Sequence, residues 1–284
     1  MKDLNDIPEE YTTNSEQPGE VVRFEYDVED ERKYACIYLP YGYDEKKSYD
    51  VVYLMHGGGG RPEDYFGSKD HITRFKKTVD HLIEKDEMKP LIIVTPTVYK
   101  KKHDRKDKLD SWAAVKEFME EIDKYLMPAV ESAYSTYAKT PDEKGFEKSR
   151  DHRAFGGFSM GSVTTWYMLL YKMKFFSRFI PMSGDCWIIE RKGGRNRPQE
   201  TAEAMVAAVK DQGFSAKDFK VLAATGSQDR AAEGLRIMFG ALKDYPEIFD
   251  FSEDGNISLS VKEGGQHEMK YVKQYLYNLL PMIF

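Results

Sequence analysis

Cysteine is scarce in this sequence, with only Cys36 and Cys186 among 284 residues. Two are too few for a disulfide framework, and both read as free thiols packed as small hydrophobes. Long apolar runs are missing too: nothing approaches the roughly 18 consecutive apolar residues that a membrane span needs. The opening stretch, MKDLNDIPEEYTTNSEQPGE, is polar and acidic and lacks the apolar core of a secretion signal. There is no excess of positive charge, since 42 basic side chains face 48 acidic ones for a formal net charge of -6. That balance argues against a nucleic-acid or anionic-membrane partner. The 6 histidines are scattered, with no HExxH or CxxC, and the glycine-rich stretch lacks the GxxxxGK[ST] pattern. Neither a metal nor a nucleotide is therefore expected, and the chemistry should need no cofactor.

What is present is an alternation. Residues 1–20 read as a loose polar arm, without periodicity and rich in Glu, Asn, Ser and Pro. The remainder, 21–284, reads as one domain. Runs at 21–28 and 33–39, joined by an acidic turn, predict a hairpin. Wholly apolar runs at 51–55, 91–95 and 153–158 predict strands buried on both faces of a mainly parallel sheet. Further strands are expected at 179–183, 219–224 and 257–262, with helices near 70–86, 111–134, 160–173, 198–212 and 268–279. Strand alternating with helix implies a doubly wound α/β sheet with helices on both faces. The charge-dense insertion KKKHDRKDKLD (100–110) reads as a solvated surface loop, with a mobile flap over a site as the alternative.

Chemistry concentrates in Gly157-Phe158-Ser159-Met160-Gly161, directly after an apolar strand. Gly-x-Ser-x-Gly between strand and helix places the serine on a tight turn above the sheet edge, the nucleophile elbow of an α/β-hydrolase. A serine hydroxyl needs a base, and the base needs an acid to orient it. In this fold the three follow in the order serine, acid, histidine. Of the histidines only His267 follows Ser159, in the loop Glu263-Gly264-Gly265-Gln266-His267. For the acid, the loop Thr225-Gly226-Ser227-Gln228-Asp229 after the preceding strand favours Asp229 over Asp185, Asp211 and Asp254. Oxyanion donors are expected from the backbone of Met160 and of the His56-Gly57-Gly58-Gly59-Gly60 loop, with Gly58 preferred to Gly57. His56 should brace that loop, and His152 should be structural.

The run Ser183-Gly184-Asp185-Cys186-Trp187 should emerge at the same sheet edge. Trp187 either caps the core or forms a wall for a flat aromatic acyl group, with Asp185 or a polar neighbour receiving a phenolic hydroxyl.

The runs YLMHGGGG, KPLIIVTPT, VESAYSTYA, RAFGGFSMGSVTTWY, FIPMSGDCW and LAATGSQD resemble the feruloyl esterase domains attached to bacterial xylanases, within the esterase D group. The likeness extends from about Val51 to the C-terminus. It implies Ser159 as nucleophile, Asp229 as acid and His267 as base, acting on the ester that joins ferulic acid to arabinose on plant xylan. It also implies a secreted setting, whereas the missing signal suits a cytoplasmic protein and equally a mature domain cut from a secreted precursor. Two features depart from the pattern. No xylanase or carbohydrate-binding module accompanies the domain, so anchoring to the polysaccharide is not implied. The 100–110 loop is more basic than the resemblance leads one to expect. Acetyl xylan esterases, S-formylglutathione hydrolases and mycolyl transferases fall in the same broad group. An acetyl xylan esterase and a cytosolic thioesterase are therefore the alternative enzymes. A carbohydrate-binding relative is the non-enzymatic alternative, and the complete triad argues against it. Oligomeric state is not legible in the sequence.

Overall fold

The computed structural model describes residues 4–99 and 111–284, so the 100–110 loop lies outside the described residues. In chain order the elements are β1 (Glu20–Val28), β2 (Glu31–Leu39), β3 (Asp50–Met55), the two-residue strands β4 (Gly67–Ser68) and β5 (His71–Ile72), α1 (Arg74–Glu84), β6 (Leu91–Thr95), α2 (Ser111–Glu121), α3 (Met127–Ala133) and α4 (Glu143–Lys148). Then follow β7 (Arg153–Phe158), α5 (Met160–Tyr171), β8 (Arg178–Met182), α6 (Gly193–Asn196), α7 (Pro198–Asp211), β9 (Lys220–Gly226), α8 (Ala232–Leu242), β10 (Ile257–Lys262) and α9 (Met269–Leu279).

An eight-stranded sheet runs in the order β1-β2-β6-β3-β7-β8-β9-β10. The hairpin β1–β2 pairs antiparallel with itself and with β6, and the other pairings are parallel. This is the doubly wound sheet that the alternation of elements predicts. Continuous apolar strands follow from burial on both faces. In β3, Val51, Tyr53 and Met55 join the core beneath α2, α5, α7 and α8, while Val52 and Leu54 join the core beneath α1 and α9.

Three expectations need correction. The helix read over 111–134 is not continuous: a π-helical segment, Ile122–Leu126, joins α2 to α3. Pro128, in the first turn of α3, has no N–H to donate to the carbonyl four residues earlier, and a local register shift absorbs that loss. α8 was not foreseen, because Gly234 and Gly240 dilute its helical signal. The arm is not loose. Leu4 and Tyr11 are buried on the face covered by α1 and α9, with Ile7 packed beside them. The Tyr11 hydroxyl donates to Glu87 at 2.5 Å, and the Gly19 N–H donates to Asp80 at 2.9 Å. A few apolar side chains at helical spacing are enough to dock a segment that is otherwise polar.

β7 is anchored at its start. Arg153 is 1% exposed and its guanidinium donates to both oxygens of Glu131, each at 2.8 Å. Glu131 also accepts from Tyr53 and Thr136, so the buried pair has its polar atoms satisfied.

Candidate active site

Ser159 stands between β7 and α5 with φ 55 and ψ -109. The turn is this tight because its glycines allow it. A Cβ on Gly157 would lie 2.6 Å from the Gly161 carbonyl, and one on Gly161 would lie 2.2 Å from the Met55 oxygen. No larger residue fits either position. The Ser159 N–H donates to the Met182 carbonyl at 2.9 Å, which ties the elbow to the neighbouring strand.

A second close approach brings the other two residues together. A Cβ on Gly226 would meet the Gly265 oxygen at 2.1 Å, so the ends of β9 and of the loop after β10 touch backbone to backbone. The Ser227 N–H donates to Lys262 O and the Gln228 N–H to Gly265 O, both at 2.9 Å. These bonds set Asp229 beside His267. Nδ1 of His267 lies 2.8 Å from Oδ1 of Asp229, and Nε2 lies 2.9 Å from Oγ of Ser159. An ionised carboxylate can only accept, so Nδ1 carries the proton and Nε2 is left to accept from the serine hydroxyl. Burial pushes the Asp229 carboxyl up, but hydrogen bonds from His267 and the Ala231 N–H oppose it, and the net position is below the usual aspartate range. The acid therefore stays charged where an imidazolium would form next to it.

Met160 and Gly58 line the same cleft as Ser159, of about 520 Å³. Met160 is the first residue of α5, whose N–H has no partner within the helix. A Cβ on Gly58 would lie 3.3 Å from the Met160 side chain, so the two expected oxyanion donors are neighbours. His56 braces the glycine loop: its ring nitrogens lie 2.7 Å from Gly57 O and 2.8 Å from Thr97 Oγ1, and it stacks on Tyr99. His152 is 2.7 Å from Asp50 and stacked on Tyr137, away from the cleft.

Trp187 and Asp185 both line the cleft, but the carboxylate of Asp185 is taken by protein donors. The Trp187 indole N–H donates to Oδ1 at 3.1 Å and the Arg195 N–H to Oδ2 at 2.9 Å. Burial raises the Asp185 carboxyl above its ordinary range, and these bonds only partly offset it. Asp185 thus holds the tryptophan and the following turn, which differs from the expected role as receiver of a substrate hydroxyl. Cys186 is fully buried and its thiol is pushed up to about 12, so it is inert packing.

Sequence reasoning did not place Phe158, Val163, Lys192, Arg195 and Arg230 in the cleft, which they also line. The cations sit in the run Arg191-Lys192-Gly193-Gly194-Arg195, which enters the four-residue α6, and directly after Asp229, segments too short to show periodicity. They bring positive charge to the mouth of a chain whose formal net charge is -6. A larger open groove, 860 Å³, lies at the opposite edge, where Arg178, Lys220 and Ile257 begin their strands, and holds none of these groups.

The arrangement suits acyl transfer: a hydroxyl within reach of an imidazole, a carboxylate on the other ring nitrogen, and the backbone of Met160 and Gly58 in the same cleft. Comparison with known proteins agrees. The Esterase family model matches residues 28–247. Endo-1,4-beta-xylanase Y of Acetivibrio thermocellus is 36% identical over 233 residues, which are 81% of this chain. The chain spans only 20% of that relative's length. The feruloyl esterase module of Clostridium thermocellum, solved with sinapinate, is also 36% identical, with TM-score 0.88 over 100% of this chain and 94% of that one. A ferulic acid esterase from the anaerobic fungus Anaeromyces mucronatus shares the fold at 19% identity and TM-score 0.66, covering 97% and 95% of the two chains. Sheet, cleft and kinship together identify this chain as a member of the esterase family, a serine carboxylic ester hydrolase of the α/β-hydrolase fold.

Proposed function

We propose that the chain releases ferulic acid from feruloylated arabinoxylan fragments by acyl transfer to Ser159. The observation that carries this reading is the hydrogen-bonded line from Asp229 through His267 to Ser159, opening on a cleft with Trp187 in its wall. In the reading, His267 takes the serine proton as Oγ attacks the ester carbonyl, and the N–H groups of Met160 and Gly58 receive the oxyanion. His267 then gives the proton to the departing sugar oxygen, which leaves the acyl group on Ser159. Water, deprotonated by the same imidazole, hydrolyses that ester and regenerates the serine. Asp229 holds the Nδ1–H tautomer throughout. Trp187 offers a flat face to the aromatic acyl group, with Asp185 fixing its indole.

Two kinships support the acyl and sugar classes. The clostridial module was solved with sinapinate, a phenolic acid, and the curated relative is a xylanase. Xylan lies outside cells, so the reading also places the working enzyme there. Rates on methyl ferulate, acetylated xylan and S-formylglutathione test it. The expected order puts methyl ferulate first in kcat/KM. A faster acetylated xylan would make this an acetyl esterase, and a faster S-formylglutathione a thioesterase.

A further inference from the structure

Ser183 repeats the elbow of Ser159 one strand over. β7 and β8 pair with Phe158 beside Met182, and a serine in left-handed backbone follows each, φ 55 at Ser159 and φ 57 at Ser183. The anchoring repeats as well: the Ser183 N–H donates to the Ala224 carbonyl of β9 at 2.9 Å, as that of Ser159 donates to Met182. A serine held in this conformation is uncommon and persists where the surroundings impose it, often for function. At Ser159 the purpose is to present a hydroxyl to the cleft. Ser183 is 1% exposed, and its side chain lies beside those of Asp229 and Tyr275.

Oγ of Ser183, Oδ2 of Asp229 and the hydroxyl of Tyr275 are all buried, and none makes a hydrogen bond. Unpaired buried polar atoms are rare in native proteins because each forfeits its hydration. A turn of the Ser183 side chain about its Cα–Cβ bond would let these three satisfy one another. In that arrangement Tyr275 would donate to Ser183 and Ser183 to Oδ2, while Oδ1 continues to accept from His267 and the Ala231 N–H. We infer that Ser183 and Tyr275 are positioning residues that grip the outer oxygen of Asp229, so that its inner oxygen stays aligned with His267. The inference rests on the proposed triad. The groups facing Asp229 are His267 from the loop after β10, Ser183 from the end of β8, the Ala231 N–H before α8, and Tyr275 from α9, with Tyr271 beside Tyr275.

Ser183→Gly tests this, because glycine suits φ 57 and removes only the hydroxyl. On p-nitrophenyl acetate kcat should fall about tenfold with KM within about twofold, while the melting temperature holds or rises. Tyr275→Phe keeps the ring in its core and should lower kcat by about threefold. In an Asp229→Asn background, Ser183→Gly should add nothing, since a residue acting through the carboxylate has no separate effect without it. Wild-type kcat in both single variants, or a tenfold loss that multiplies undiminished onto Asp229→Asn, overturns the proposal. A near-normal rate for Asp229→Asn alone would instead remove the triad reading beneath it.

Discussion

Phe158 and His267 are in ring contact, 4.6 Å between centroids and tilted by 42°. The residue before the nucleophile thus supports the face of the imidazole, and elbow and base are held by one side chain. Phe158→Ala should let the imidazole swing and lower kcat by about tenfold or more, since small misplacements at a reacting centre cost up to about 100-fold. Steady-state rates with KM little changed are the expected result, and a wild-type kcat would show the contact to be idle.

Replacing the triad residues should separate their roles. Ser159→Ala should reduce kcat by about a million-fold with the fold intact. Asp229→Asn should reduce it by about 10⁴ through loss of the imidazole tautomer. Retention of a tenth of wild-type activity by Ser159→Ala would exclude it as nucleophile. Full activity in Asp229→Asn with Asp185→Asn inactive would transfer the acid role.

The two carboxylates of the cleft should respond to pH with opposite sign. Asp229 sits below its unfolded value, so its stabilising contribution is complete above the ordinary aspartate pKa of about 3.9 and is lost as pH falls through the lower folded value. Asp185 sits above its unfolded value, so its charged form weakens the fold near neutral pH and protonation relieves this as pH falls. Asp229→Asn should therefore be less stable than wild type near neutrality, and Asp185→Asn equal or more stable. Both differences should shrink in acid. Urea midpoints across the pH range check this, and parallel curves for the two variants would contradict it.

Trp187→Ala should raise KM or lower kcat/KM for methyl ferulate by about tenfold, with acetyl esters within about threefold. Equal losses on both esters, with a lowered melting temperature, would assign Trp187 to the core.

Arg153 and Glu131 form a buried pair, so removing either partner strands a charge. Arg153→Met should destabilise by about 3–5 kcal/mol. A chemical denaturation midpoint near that of wild type would show the pair to be replaceable.

The alternation of strands with helices and the elbow were legible because both are written locally, in short apolar runs and in glycines two residues either side of Ser159. His267 followed from position alone, as the last histidine in the chain. The role of Asp185 was not legible, since it depends on which donors the fold brings to its carboxylate, and those belong to Trp187 and Arg195. The conformation of Ser183 was not legible for a similar reason. A Ser-Gly pair says nothing of φ or of Tyr275, nearly a hundred positions later in the chain. The arm was misjudged because composition averages over Leu4, Ile7 and Tyr11, whose burial alone decides whether it docks.

That docking makes the polypeptide nearly a ring. The Asn5 N–H donates to the side chain of Asn278, whose amide donates back to the Asn5 carbonyl, each at 2.9 Å, and Leu4 O accepts from Lys262. Asn5 is thereby stitched to the helix that directly follows His267, and Leu4 to the strand before it. A short linker from the end of α9 to Leu4, with new ends opened between Glu29 and Asp30, should give a circular permutant that folds and turns over. Cutting the arm away should instead loosen α9 and blunt the base from behind, a dependence of the last catalytic residue on the first few of the chain that limited proteolysis would expose.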